Sequence, residues 1–272
     1  MSIALPQFTY LREIVRKHAA IVIDSDKDYL VDGRLSPIME REGFSSIDHL
    51  IESLEGRPFG TLHQNVVDAM TNNETWFFRD FQPFDALKLQ ILPELIAKSS
   101  NVRRINIWSA ASSTGQEAYS VAMGLREHFM LPGWTFSILA TDLAEHILER
   151  ARLGKFTQME VSRGLPTPLL TKYFEQNGVL WELRREIRDM VTFKQLNLVT
   201  TWPSLPAVDI LMLRNVLIYF DVETKKTVLK KARNVLRPGG YLFLGAAETT
   251  LNLDDNFERI PFGRSAYYRV RS

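Results

Sequence analysis

Two carboxylates and the turn before the first of them define the chemistry open to this chain. Glu117 falls in the first turn of a helix (QEAYSVAMGLREHF) that follows an apolar strand, INIWSA, and a small-residue turn, Ser112-Ser113-Thr114-Gly115. Asp142 ends the next apolar run, TFSILATD. Strand, tight turn, helix and strand over residues 105–143 make one right-handed crossover, which lays two parallel strands side by side. In nucleotide-binding crossovers the first turn admits a ligand to a helix N-terminus, and an acid at the end of the second strand accepts hydrogen bonds from ribose hydroxyls. The turn has a single glycine, Gly115, whereas pyrophosphate needs several where backbone approaches phosphate. Glu117 would repel phosphate and suits an ammonium group. Ribose at one end and an amino acid at the other describes S-adenosylmethionine. A plainer reading stands equally open: Glu117 complements a helix dipole and Asp142 caps the next helix.

Other polar residues follow apolar runs in the same way. Asn197 and Leu198 end the run that starts at Val191, and Arg214 and Asn215 follow VDILML, the pattern of a strand buried on both faces. Tyr219 opens the next helix and Glu248 follows YLFLG. Ligands of open parallel sheets bind off the carboxyl ends of the strands, where Glu117, Asp142, Asn197, Asn215, Tyr219 and Glu248 converge. Asn197 and Asn215 are also residues that turns favour, and Glu248 is explained equally well as a solvated side chain. Five histidines without ligand spacing and no cysteine leave no metal site expected.

The elements that must position these residues fall into two groups. From Phe8 to Met70 the apolar residues recur at helical spacing, with Ser45-Ser46 as a helix start, giving a small all-α domain with no chemistry of its own. The stretch TNNETWFFRD (71–80) links it onward: Phe77 and Phe78 are expected to plug the gap between two cores, and Arg79 to hold a carboxylate in its fork. A helix over 84–97 interrupted at Pro93, an irregular stretch over 154–168, a hairpin with a type I′ turn at Asn177-Gly178, and a helix closed by Arg237-Pro238-Gly239-Gly240 complete the expectation. Domains are therefore expected at 1–80, helical domain and linker, and at 81–272, with a small β-subdomain inserted at about 172–192. Residues 1–80 hold 8 basic against 13 acidic residues, a net of −5, and the remainder 25 against 19, a net of +6. An overall charge of +1 lacks the basic bias of a nucleic-acid binder, and no apolar run is long enough to span a bilayer. The first ten residues do not read as a signal peptide, and a cytoplasmic location is expected.

Taken together, NNETWFFRD, NIWSAASSTGQEAYSVAM, ILATD, FKQLNL, LRNVLIYFD and RPGGYLFLGAAE resemble the chemotaxis receptor glutamate O-methyltransferases, the CheR family. The likeness runs in order through nearly the whole chain. It implies an α/β fold: a Rossmann-like S-adenosylmethionine-dependent methyltransferase sheet with a small inserted β-subdomain, preceded by a small all-α domain. It implies cofactor contacts at Asn73, Thr75, Arg79, Glu117, Asp142, Asn197, Leu198, Arg214 and Asn215, and roles for Arg79 and Tyr219 with the substrate carboxylate. The product of the cofactor is S-adenosylhomocysteine, and the partners are methyl-accepting chemotaxis receptors, met by a monomer without nucleic acid or membrane insertion. Some members tether to a pentapeptide at a receptor's C-terminus through a glycine-containing loop in the β-subdomain. No room for that loop exists here, so no tether is expected. Two departures are Gln116 and Ala118, where many members have Glu and Pro, and the acidity of residues 1–80, where members present a basic helix. The rival readings are a methyltransferase of this fold acting on a small molecule or nucleic acid, which would lack the aromatic–Arg motif, and a non-catalytic cofactor-binding adaptor, which would lose Arg79 or Tyr219.

Overall fold

The computed structural model describes residues 3–99 and 101–271; Ser100, in the lead-in to the first strand, lies outside them, as do the first two residues and the last. The chain divides into two compact units, residues 1–72 with 219–224 and residues 73–218 with 225–272. The first consists of α1 (Leu5–Ala19), α2 (Tyr29–Glu42), α3 (Ile47–Glu52) and α4 (Thr61–Ala69). The helical spacing of Phe8, Leu11, Ile14 and Val15 buries one face of α1, and Leu35, Ile38, Leu50 and Ile51 are buried in the same unit. Ser46 caps α3, its hydroxyl accepting from the His49 amide.

The second unit is an α/β fold. It runs α5 (Gln82–Ala86), α6 (Leu92–Lys98), β1 (Arg104–Ala110), α7 (Gln116–His128), β2 (Thr135–Asp142), α8 (Glu145–Leu153), β3 (Lys155–Thr157), α9 (Gln158–Ser162), α10 (Thr167–Tyr173), β4 (Phe174–Asn177), β5 (Leu180–Leu183), α11 (Arg185–Arg188), β6 (Val191–Gln195), β7 (Val208–Leu213), α12 (Val222–Val235), β8 (Leu236–Phe243), β9 (Phe257–Phe262) and β10 (Ser265–Val270). Seven strands form one sheet in the order β6-β2-β1-β7-β8-β10-β9. β1, β2, β6, β7 and β8 pair in parallel, and the β9–β10 hairpin closes the edge antiparallel to β8. Strand order reverses between β1 and β7, so the crevice for a ligand opens at their carboxyl ends.

Every residue of β7 is buried, including Asp209, whose carboxylate accepts the Asn106 amide at 2.7 Å and pairs with Arg237 at 3.0 Å. Burial still raises the Asp209 pKa, so the acid is tolerated in this run because it is satisfied. Each large apolar side chain buried in this way contributes about 1.5–3 kcal/mol.

Local differences from the sequence-based expectations have identifiable causes. Pro93 does not break its helix: it stands in the first turn of α6, and residues Leu87–Ile91 before it widen into a π-turn that accommodates the missing donor. The stretch 154–168 is not irregular. Thr157 and Glu160 form a capping box that starts α9, and Lys155–Thr157 pairs with β5, giving a second, three-stranded sheet ordered β3-β5-β4. The β4–β5 turn is Gly178-Val179 and has the II′ pattern, with positive φ only at Gly178 (62°), because a β-branched residue resists the second positive φ that type I′ requires. Arg237 to Gly240 belong to the irregular start of β8, where the pairing with β7 shifts register, rather than to a helix stop. Phe77 is a core residue of the second unit, edge-on to Phe156 and Phe174 at 5.0 and 5.6 Å, rather than filler between two cores.

Candidate active site

The site is built at the carboxyl ends of β1, β2, β6 and β7. Gly115, at φ 93°, turns the chain from β1 into α7, and this brings Glu117 back over the strand it has just left. There the Glu117 carboxylate accepts from Ser109 Oγ at 2.8 Å and from Arg214 at 2.8 Å. The Arg214 side chain is only 1% exposed; besides Glu117 it holds Asp80 at 2.6 Å and the carbonyl oxygen of Arg79 at 2.9 Å. One guanidinium thus faces two carboxylates, and the surplus negative charge lies where a ligand's ammonium would be stabilised.

Asp142 is buried at the end of β2. One carboxylate oxygen accepts from the Ser113 amide at 2.8 Å and the other from the Ala144 amide at 3.2 Å. Burial raises its pKa above the ordinary value, while amide hydrogen bonds from Ser113, Ala144 and Leu143 and the charge of His146 act in the opposite direction. The plainer reading of Asp142 is therefore physically present, since the acid does order the backbone around it. A carboxylate offers about four acceptor sites, so beyond the three amides one remains for a ligand.

The segment 73–80 lies along this end of the second unit. Ser113 Oγ donates to the carbonyl oxygen of Asn73 at 2.8 Å, and the Phe78 amide donates to Ser120 Oγ at 2.9 Å. The Arg79 guanidinium stacks on Trp76 at 4.2 Å and donates to the carbonyl oxygen of Glu74 at 3.0 Å. Arg163 covers Trp76 at 3.9 Å and pairs with Glu74 at 2.8 Å. Thr75 is half-buried in the same segment.

Beyond β6, Asn197 accepts the Val199 amide through its own side chain at 3.0 Å, and the carbonyl oxygen of Leu198 accepts from Trp202 and Lys231. The Leu196 amide donates to the Asp142 carbonyl oxygen at 2.9 Å, which ties this turn to the end of β2. Asn215 takes a left-handed conformation, φ 59°. Its amide donates to Glu248 at 2.8 Å, and Glu248 also accepts the amides of Gly245 at 2.6 Å and Ile218 at 3.2 Å. Glu248 is thus not a solvated side chain; it fixes the loop between β7 and Tyr219. Its position three residues after Gly245 was the only sequence signal of this. Tyr219 itself groups with the helical unit, where its hydroxyl oxygen accepts from Asn72 Nδ2 at 2.8 Å. Asn73, Glu117, Asp142, Arg214 and the backbone of Arg79 are brought together by these bonds.

S-adenosylmethionine fits the polar groups present. Ser112 Oγ in the turn and Arg214 Nε at the carboxylate cluster are buried without a hydrogen-bond partner among the described residues, as is Arg79 Nε of the guanidinium on Trp76. Residues 6–71 match the CheR methyltransferase all-alpha domain, and residues 73–265 match the CheR methyltransferase, SAM binding domain. Chemotaxis protein methyltransferase 1 of Pseudomonas aeruginosa is 40% identical over 276 residues, covering 100% of both chains. Chemotaxis protein methyltransferase Cher2 of Pseudomonas putida is 37% identical, again covering 100% of both. Among solved structures, a Listeria monocytogenes chain described as of the class I S-adenosylmethionine-dependent methyltransferase type aligns with a TM-score of 0.42 at 12% identity, covering 99% of this chain and 89% of that one. The chain belongs to the CheR methyltransferase family, and residues 73–265 are its S-adenosylmethionine-binding domain.

Proposed function

We propose that this enzyme methylates glutamate side chains of chemotaxis receptors, forming glutamate 5-O-methyl esters that tune sensory adaptation. Full-length identity of 40% to a chemotaxis protein methyltransferase carries this reading. S-adenosylmethionine supplies an electrophilic methyl group: its carbon–sulfur bond breaks as a carbon–oxygen bond to the glutamate forms, leaving S-adenosylhomocysteine. A glutamate with an ordinary pKa of about 4.3 is already ionised at neutral pH, so the protein needs no general base. Its task is to align the carboxylate and exclude water. In this reading Asp142 accepts from ribose hydroxyls and Glu117, steadied by Arg214, faces the methionyl ammonium. Asn73, Thr75, Asn197, Leu198 and Asn215 complete the cofactor's surroundings. Arg79 and Tyr219 orient the substrate carboxylate, Arg79 through a fork partly satisfied by Trp76 and the Glu74 carbonyl, so that it does not quench the nucleophile.

The receptor is met in the cytoplasm by a monomer, with 81–272 as the body of the methyltransferase domain, the segment 73–80 belonging to the same unit, and the helices before it taking part in docking. No pentapeptide tether is used. A two-residue connection between β4 and β5, and a connection from β5 to β6 taken up by α11, support this. Incubating the protein with receptor-containing membranes and methyl-labelled cofactor tests the function. Base-labile label on the receptor is expected; label absent from receptor and present on nucleic acid or small molecules would overturn it.

A further inference from the structure

A second polar cleft, of about 470 Å³, opens in the same unit at the carboxyl end of β8. Its floor is the loop after β8, held by Glu248, and its walls are Asp80 and the start of β10. It lies on the far side of β7 from Asp142, the half of the sheet that the cofactor residues leave open. The cleft borders the active site through Asp80, which binds the same Arg214 that holds Glu117.

Two arginines line it, Arg259 on β9 and Arg264 in the β9–β10 turn. Both are exposed, and neither side chain has an ion pair or hydrogen bond among the described residues. Their neighbours differ: Arg233 pairs with Asp254, Arg237 with Asp209 and Arg269 with Glu94. The carboxylates of the cleft are already committed, Asp80 to Arg214 and Glu248 to three backbone amides. Hydroxyls of Thr249 and Ser265 add donors, while that of Tyr268 donates to Thr249 Oγ1 at 3.4 Å. Two unpaired guanidinium forks with hydroxyls beside them suit a carboxylate brought from outside.

We propose that this cleft is a carboxylate subsite in which Arg259 and Arg264 hold an acidic side chain of the substrate polypeptide, next to the glutamate that is modified. The proposal rests on the reading that the substrate is a protein glutamate. It gives the enzyme a preference for glutamates in acidic surroundings, because a second carboxylate on the polypeptide finds its own charged partners beside the reacting centre. Association is correspondingly sensitive to salt, since both arginines are exposed.

The test uses full-length protein saturated with S-adenosylhomocysteine and two receptor-derived helical peptides, one with two neighbouring glutamates and one with the second changed to glutamine. Wild type is expected to bind the first peptide about fivefold to tenfold more tightly, the range for two exposed ion pairs. The R259Q/R264Q variant is expected to lose that preference while keeping its thermal midpoint and its affinity for S-adenosylhomocysteine. A preference that survives in the double variant, or is absent from wild type, overturns the subsite. Inorganic phosphate displacing the two-glutamate peptide at equal concentration overturns its assignment to a peptide carboxylate. An arginine-dependent preference without any base-labile ester formed on the peptide supports the subsite and overturns the proposed reaction, so the two failures are separable.

Discussion

Asp142 has to be buried and to act as an anion, and its environment sets these demands against each other. Burial raises its pKa while three amides favour the charged form. A carboxyl with a raised folded pKa holds its proton more tightly in the folded protein, so it opposes acid unfolding between the ordinary value and the raised one, and this advantage is lost as pH rises through the raised value. For a ligand whose hydroxyls need an acceptor, the consequence has the reverse sign: affinity is full above the raised value and falls as the acid protonates. Calorimetric titration with S-adenosylhomocysteine is therefore expected to show weakening that begins above the ordinary aspartate pKa of about 3.9. Asp142→Ala is expected to lower affinity by about tenfold or more at neutral pH, the usual cost of losing a hydrogen bond to a charged group, and to remove that pH dependence. Unchanged affinity in a folded variant would take Asp142 out of the site. Tyr219 makes a different prediction. Its oxygen accepts from Asn72, which leaves the hydroxyl hydrogen to donate. Steady-state kinetics of Tyr219→Phe are expected to show turnover down by about tenfold with cofactor affinity unchanged, while Arg79→Ala damages both. Wild-type turnover in Tyr219→Phe would exclude the proposed role.

Besides its hydrogen bonds, the segment 73–80 meets its unit at one very close approach. Gly164 has φ 81°, and a Cβ there would lie 2.1 Å from the carbonyl oxygen of Phe77. Gly164→Ala combines a left-handed backbone with overpacking and is expected to cost about 2–5 kcal/mol, read by urea unfolding, and to weaken S-adenosylhomocysteine binding by displacing Asn73 and Arg79. Stability within a few tenths of a kcal/mol of wild type would show that the contact is yielding. Much of this architecture was legible in the sequence. The apolar run of β7, the crossover from β1 through α7 to β2, and the placement of Glu117 and Asp142 follow from periodicity and turn residues. β3 was not legible, because three residues carry no period, although Thr157 and Glu160 signalled the helix after it. The pairing of Arg214 with Glu117 was also beyond reach: the residues are 97 positions apart and meet only because β7 docks beside β1. The structural role of Glu248 was beyond reach because its three partners are backbone amides, which any sequence offers.

For the molecule as a whole, the small β-sheet bears on how receptors are recruited. With the β4–β5 turn reduced to Gly178 and Val179, a Trp- and Phe-bearing pentapeptide is expected to show no saturable binding up to millimolar concentration; a micromolar dissociation constant would restore the tether. The order of the large sheet has a kinetic consequence as well. Its central pairing, β1 with β7, joins segments about a hundred residues apart, as the 103-residue separation of Asn106 and Asp209 shows. Closing so long a loop must precede the contacts that reward it, which makes such parallel pairings slow to form. Trp108 on β1 and Trp202 just before β7 stack edge-on at 4.9 Å across this closure and provide an optical reporter of it. In refolding experiments their near-ultraviolet signal and the capacity to bind S-adenosylhomocysteine are expected to appear together in the slowest phase, since Glu117 and Arg214 lie on opposite sides of the same closure. Cofactor binding that precedes the tryptophan signal would show the site forming first. Where they coincide, a chain emerging during synthesis has no cofactor site until β7 has been made, so a partly made enzyme is silent.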